Sequence, residues 1–255
     1  TNPGGELIAT MVHEVGHALG LKHPFDGTQP GFPSFEDLGV DALNQDTFTA
    51  MAYNEFNPSS WAYGNITTPM PVDIGALQYL YGTDGDTNAG DTVHEITNDG
   101  RVRTIYDTGG EDTLDASDTG RDVTLDLRPG LASLVSDLTR VGIAPATRIE
   151  DATGGRGDNR LIGNGVANTL TGNAGDDTLQ GRGGDDVLVG GTGDDMLMGG
   201  AGADTAVFKG ARNDFRITAL EDGYRVSHLA GQEGDNYLSG IETLRFSDGD
   251  YSFIA

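Results

Sequence analysis

From Gly154 the chain divides into six consecutive nonapeptides without a gap, GGRGDNRLI, GNGVANTLT, GNAGDDTLQ, GRGGDDVLV, GGTGDDMLM and GGAGADTAV, ending at Val207. Their sixth positions are Asn159, Asn168, Asp177, Asp186, Asp195 and Asp204, and their eighth positions are Leu161, Leu170, Leu179, Leu188, Leu197 and Ala206. A fixed short period of this kind builds a stack of identical units, not one conventional core. Six residues rich in Gly and Asp make a turn with exposed carbonyls, and three make a short strand whose aliphatic side chain points inward. Two nonapeptides complete one coil, so turns on one side of the stack come from alternate repeats. Composition alone would suit a disordered Gly/Asp linker. An unbroken register with an aliphatic residue at every eighth position argues against that reading.

The pattern matches the G-G-x-G-x-D-x-U-x repeat of calcium-binding parallel β-helices. Sixth-position side chains eighteen residues apart face each other across a gap lined by carbonyl oxygens, a hard-oxygen environment suited to Ca²⁺. Asp177 with Asp195, and Asp186 with Asp204, supply two carboxylates each, whereas Asn159 with Asp177 and Asn168 with Asp186 supply one. One step backwards in register puts Glu150 at a sixth position opposite Asn168.

Charge points the same way. The chain has 40 acidic and 15 basic side chains, a net charge of −25, and only 36% hydrophobic residues. Such a surface repels nucleic acid and anionic membranes and attracts cations. The absence of Cys excludes disulfides and thiolate metal sites. No apolar run approaches the roughly 18–20 residues of a membrane span, and Thr1–Gly5 lacks the basic region of a signal peptide. Four regions are expected. Residues 1–82 form a zinc-binding catalytic subdomain, with a helix from Leu7 to Leu21, a Pro-rich loop stretch, and a second helix over Val72–Tyr81. Residues 83–153 form a β-rich junction with runs such as Val102–Tyr106 and Val123–Leu127, residues 154–207 the roll, and residues 208–255 a small antiparallel end.

The first helix carries His13-Glu14-Val15-Gly16-His17, then Gly20 and His23-Pro24. Residues four apart share a helix face, so His13 and His17 present two imidazoles together. Gly20 lets the chain turn back so that His23 can supply a third nitrogen, leaving the open position of catalytic zinc. Glu14 lies beside the first ligand, placed to act as general base on a metal-bound water. His94 and His228 fall outside this pattern and read as ordinary surface residues.

This H-E-x-x-H-x-x-G-x-x-H spacing resembles the metzincin peptidases, and Thr49-Ala50-Met51-Ala52-Tyr53 resembles their Met-turn. Together with the downstream nonapeptides, the chain resembles the serralysin family of secreted bacterial zinc proteases with RTX repeats. The resemblance implies that Met51 floors the zinc site. It implies that Tyr53 is a fifth zinc ligand at rest and later hydrogen-bonds the tetrahedral intermediate. It also implies calcium between catalytic and repeat parts, at Asn88, Gly90 and Thr92 and at Asp107, Gly109, Gly110 and Asp112. The tail Asp250–Ala255 is similar, apart from Ser252, to an uncleaved C-terminal signal for type I secretion. The family's catalytic domain has a sheet-containing half ahead of the zinc helix, whereas twelve residues precede His13 here. The chain is thus expected to be a fragment or to be joined by a separate polypeptide.

The sequence therefore reads as an α+β protein: the C-terminal part of a metzincin zinc-peptidase domain, a calcium-binding parallel β-roll and a small antiparallel β end. Its expected function is secreted, zinc-dependent endoproteolysis of protein or peptide substrates, with one Zn²⁺ and several Ca²⁺. The rival is a non-catalytic, calcium-dependent secreted or surface module with a relict zinc site. His17→Ala is predicted to abolish stoichiometric zinc, measured by elemental analysis, whereas Glu14→Ala retains the metal and loses any peptidase activity. Metal release by Glu14→Ala would reverse the assigned roles.

Overall fold

The computed structural model describes residues 15–16, 18–19, 65–66, 68, 70–81, 86–137 and 139–252. His13, Glu14, His17, His23, Met51 and Tyr53 lie outside the described residues. Of the first helix, Val15, Gly16 and Ala18 are helical, and the Leu19 N–H donates to the carbonyls of Val15 (3.0 Å) and Gly16 (3.2 Å). Strands dominate the described residues, and no described helix is long and apolar enough to cross a membrane. The α+β expectation rests on the zinc-peptidase portion, most of which is not described.

The chain folds as two units, one of residues 1–89, 98–110 and 129–148, the other of residues 90–97, 111–128 and 149–255. The first contains the helix Pro71–Tyr81, one residue longer at its start than expected. Proline suits a first helical turn because its missing N–H would have no partner there. Asp73 completes the start by accepting the Met70 N–H at 2.9 Å. In the same unit a sheet runs in the order Asn65–Ile66, Arg101–Ile105, Arg140–Ile143, Ala132–Leu134, with only the last pair antiparallel.

The second unit is the roll, built of two stacks of parallel strands. In one, Thr124–Asp126, Arg160–Ile162, Thr178–Gly183, Met196–Ala201 and Asp235–Ser239 lie side by side. In the other, Val93–Glu95, Thr113–Asp115, Asp151–Thr153, Thr169–Ala174, Val187–Thr192, Thr205–Val207 and Thr243–Phe246 follow one another. Thr178 pairs with Met196 and Thr169 with Val187, which is the eighteen-residue coil set by two nonapeptides. Eighth-position side chains therefore stack in columns, Leu125–Leu161–Leu179–Leu197–Leu238 and Leu114–Ala152–Leu170–Leu188–Ala206–Leu244, all buried. The stack extends past the recognisable repeats at both ends.

The antiparallel end grows out of this stack. Tyr224–His228 pairs antiparallel with both Phe215–Ala219 and Asp235–Ser239, and Gly249–Ser252 pairs antiparallel with Thr243–Phe246. Beneath them Phe208, Phe215 and Phe246 meet with ring centroids 5.1 to 5.5 Å apart, and His228 meets the Phe215 ring edge-on at 4.8 Å. This end packs on clustered aromatic rings, whereas each strand of the repeats contributes a single inward aliphatic residue to its column. Leu188, stacked between Leu170 and Ala206, is 0% exposed. Leu188→Ala is predicted to destabilise the calcium-saturated protein by roughly 2–5 kcal/mol, measured by urea unfolding.

Candidate metal centre

Each repeat turns through glycine where the stack leaves no alternative. At the fourth position Gly175, Gly184, Gly193 and Gly202 have φ between 105° and 143°, and a side chain there would strike the backbone of the preceding coil. At the first position, a Cβ on Gly172, Gly181 or Gly190 would fall against the Oδ2 of Asp177, Asp186 or Asp195 respectively. It would also meet the Gly190 carbonyl oxygen at 2.6 Å from Gly172, and that of Gly199 at 2.7 Å from Gly181. A Cβ on Gly199 would meet the Asp204 Oδ2 at 2.5 Å and the Gly240 carbonyl oxygen. Each cradle thus joins a carboxylate oxygen, and in three of them a nearby carbonyl oxygen, around a space only glycine leaves open.

The sixth-position side chains form a buried ladder in two separate runs, Asn159–Asp177–Asp195 and Asn168–Asp186–Asp204. Asp177 Oδ1 accepts the Asn159 N–H (2.7 Å), Asp186 Oδ1 that of Asn168 (2.8 Å), Asp195 Oδ1 that of Asp177 (2.9 Å) and Asp204 Oδ1 that of Asp186 (2.9 Å). The second oxygen of these four aspartates is buried with no hydrogen-bond partner. Stripping water from a carboxylate oxygen without giving it a donor is costly. Desolvation accordingly raises Asp177 from 3.8 to about 6, Asp186 to about 7 and Asp195 to about 7. It also raises Asp204. Neighbouring carboxylates push in the same direction. A hard cation bound by these oxygens and the adjacent carbonyls relieves both penalties, so the residues present fit calcium.

Among the described residues no group of three or more His, Asp or Glu side chains converges as a metal cluster. Carbonyls must therefore complete any coordination shell. Asn159 is buried in the run of Asp177 and Asp195, and Asn168 in that of Asp186 and Asp204. Glu150 is also buried there: its Oε2 accepts the Asp112 N–H at 2.9 Å, and its carbonyl accepts an Asn168 amide hydrogen at 2.7 Å. Asp112 Oδ1 accepts the Thr92 N–H at 2.9 Å, and the Thr92 hydroxyl donates to the Gly90 carbonyl at 2.9 Å. These residues belong to the roll. Asn88, Asp107, Gly109 and Gly110 belong to the other unit. There Asp107 is buried, its Oδ1 accepting the Gly109 N–H at 3.2 Å, and its backbone N–H donates to the Thr147 hydroxyl at 2.9 Å.

Sequence reasoning did not find the far end of the ladder. Asn236 Oδ1 accepts the Asp195 N–H at 2.9 Å and Glu242 Oε2 accepts the Asp204 N–H at 2.8 Å, after intervals of 41 and 38 residues. A signal was present, since Asn236 and Glu242 each precede an inward Leu by two places, as every sixth position precedes an inward aliphatic residue. A second, exposed ladder runs along the fifth positions. Asp158 Oδ1 accepts the Asp176 N–H, Asp176 Oδ1 the Asp194 N–H, and Asp194 Oδ1 the Asp235 N–H, each at 2.8 Å.

Comparison with known proteins agrees with this geometry. The family described as the RTX calcium-binding nonapeptide repeat (4 copies) matches residues 153–188 and 171–206. Serralysin of Proteus mirabilis is 36% identical over 180 residues, covering 63% of this chain and 36% of that protein. Metallopeptidase AprA of Pseudomonas marginalis is 37% identical over 182 residues, covering 62% of this chain and 38% of that one. Serralysin of Photorhabdus luminescens is 34% identical over 178 residues, covering 63% and 37%. The chain thus spans little more than a third of the curated relatives it matches. Among solved structures, the extracellular lipase LipA from Serratia marcescens aligns with a TM-score of 0.38 and 22% identity, over 45% of this chain and 22% of that one.

The raised carboxyls set a pH dependence. In the unfolded chain they lose protons near 3.8, whereas in the folded, cation-free roll they hold them until about 6 to 7. Between those limits the folded form binds more protons, so its stability is greatest below about pH 4 and is lost as pH rises through about 7. Protonation at about pH 5 therefore lowers the cost of folding the cation-free roll relative to about pH 7.5. With calcium the order reverses, because protons compete for the same oxygens. The calcium midpoint, followed by circular dichroism, should rise on acidification across that range.

Proposed function

We propose that this chain, which belongs to the serralysin family by its C-terminal region, is the C-terminal portion of a secreted zinc endopeptidase whose roll folds on binding calcium. The observation that carries the reading is the set of buried, donorless carboxylate oxygens on Asp177, Asp186, Asp195 and Asp204. These four aspartates are the principal calcium ligands. Asn168, Glu150, Asp112 and neighbouring carbonyls contribute at the N-terminal end of the ladder. Asp107, with Asn88, Gly109 and Gly110, is a further candidate in the other unit.

For the peptidase function, the support is the motif and the names of the relatives. His13, His17 and His23 would hold a zinc ion, Tyr53 would be its fifth ligand and Met51 its floor. The ion would supply Lewis acidity and an acidified water. Glu14 takes up the proton of the attacking water, and Tyr53 donates a hydrogen bond to the developing oxyanion. Protein or peptide substrates follow from this reading, as does a catalytic half lying upstream or in a separate chain.

Calcium also gives secretion a direction. Without cations, the carboxylates at Asp176, Asp177, Asp185, Asp186, Asp194 and Asp195 repel one another, and the narrow aliphatic interior does not offset that repulsion together with the entropy of ordering so many glycines. Each calcium at a hundredfold excess over its dissociation constant adds about 2.7 kcal/mol to the folded form alone. Such a chain leaves the cell unfolded, by a type I route read from its C-terminus, and folds outside. Calcium titration of the full chain is predicted to convert a largely unordered roll into a β-rich one. Asp186→Ala should raise the midpoint most among the sixth-position variants, with Asp177→Ala next. A β-rich roll already formed in excess chelator would overturn this account. Turnover of a denatured protein substrate, lost in Glu14→Ala, tests the catalytic half of the reading separately.

A further inference from the structure

The two asparagines of the ladder face opposite ways. Asn159 is 2% exposed. Its Oδ1 accepts the N–H groups of Gly155 and Val123, each at 3.2 Å. Its Nδ2 lies within hydrogen-bonding distance of four oxygens: Gly157 O at 2.7 Å, Asp177 Oδ1 at 2.8 Å, Gly172 O at 3.1 Å and Gly155 O at 3.3 Å. Turning the amide over would set its NH₂ against two N–H donors and its oxygen against four oxygens, so the orientation is fixed by its neighbours. A Cβ on Gly154 would meet this Nδ2 at 2.9 Å and the Gly172 carbonyl at 3.0 Å. In the later repeats, a Cβ on the equivalent glycine meets the donorless Oδ2 of an aspartate instead. The amide nitrogen therefore stands where the other cradles place a ligand oxygen, and its hydrogens already engage the oxygens a cation would need.

Asn168, also 2% exposed, is turned the other way. Its Nδ2 donates to the Glu150 carbonyl at 2.7 Å and to Asn164 Oδ1 at 3.3 Å, while its Oδ1 accepts the Asn164 N–H at 2.8 Å. That Oδ1, with the Gly181 carbonyl at 2.5 Å, is what a Cβ on Gly163 would meet. The difference comes from the preceding coil: Val123 offers Asn159 an N–H, whereas Glu150 offers Asn168 a carbonyl.

We propose that the first cradle of the roll, built on Asn159, is closed by its own side-chain amide and takes no cation, whereas the second, built on Asn168, takes calcium through the Asn168 carbonyl oxygen. The proposal rests on the roll being calcium-binding. It divides the six sixth positions into one amide-closed end and five calcium cradles. In the folded roll the end of the ladder towards Val123 is thereby satisfied without a cation of its own.

Calcium bound per full-length chain is to be counted by elemental analysis after equilibration in calcium and removal of free ion, for the parent, Asn159→Asp and Asn168→Asp. The expected result is one additional calcium in Asn159→Asp, because a carboxylate oxygen then replaces the amide, and an unchanged count with a lowered midpoint in Asn168→Asp. An unchanged count in Asn159→Asp overturns the closure at Asn159. A gain in Asn168→Asp overturns the assignment of calcium to its cradle. A parent chain that binds no calcium overturns the underlying reading of the roll. The closure at Asn159 is then judged independently by the exchange of its Nδ2 protons in NMR spectra of the folded protein. Slow exchange supports it, and fast exchange overturns it.

Discussion

A carboxylate oxygen buried without a hydrogen-bond donor is the condition around which the rest of the roll is arranged. Asp177, Asp186, Asp195 and Asp204 each give one oxygen to a backbone N–H and leave the other in a dry, oxygen-lined space. An isolated domain with four such atoms would be poorly stable. A doubly charged cation in each cradle would supply the partner that each of these oxygens lacks. The first-position glycines Gly172, Gly181, Gly190 and Gly199 are required for the same reason, because a Cβ there would fall against the donorless oxygen.

The apolar core follows from this dependence. Each coil contributes one inward aliphatic residue from each of its two strands, and the columns Leu161–Leu179–Leu197 and Leu170–Leu188–Ala206 have no second layer of comparable size. The Phe208–Phe215–Phe246 cluster differs because it lies beyond the last nonapeptide, where the chain returns to hairpins. Burial alone can hold that end. The roll between it and Asp112 depends on electrostatics, and its stability is set by the concentration of an ion outside the chain.

Much of the roll could be read from period alone. A nine-residue repeat fixes the coil at eighteen residues, sends the eighth-position side chains inward and puts alternate sixth positions in line, and the register Thr178↔Met196 follows directly. What period could not give was the continuation beyond it. Asn236 and Glu242 reach the ladder across loops of irregular length, so counting fails although the Asn-x-Leu and Glu-x-Leu pattern persists. Asp107 and Asp112 are five residues apart in sequence yet belong to different units, a partition that chain proximity does not reveal. The facing of an asparagine amide is equally invisible in sequence, because it depends on whether the coil before it offers an N–H or a carbonyl. The zinc motif was legible only as spacing, and its residues lie outside the described part of the chain.

The two ladders together explain why the roll should behave as a cooperative array. In the buried ladder, the carboxylate of one coil accepts an N–H from the coil before it, as Asp195 does from Asp177. In the exposed ladder the direction reverses, and Asp176 accepts an N–H from Asp194 in the coil after it. The turns at Asp176–Asp177, Asp185–Asp186 and Asp194–Asp195 are thus tied forwards by the fifth residue and backwards by the sixth. A calcium ion that orders one turn fixes the N–H and carbonyl groups its neighbours need for theirs, which is the nearest-neighbour coupling of a one-dimensional stack. Replacing a single sixth-position carboxylate therefore weakens more than its own cradle. The effect should be largest inside the two runs, at Asp186 and Asp177, each bonded both to an asparagine of the coil before and to an aspartate of the coil after.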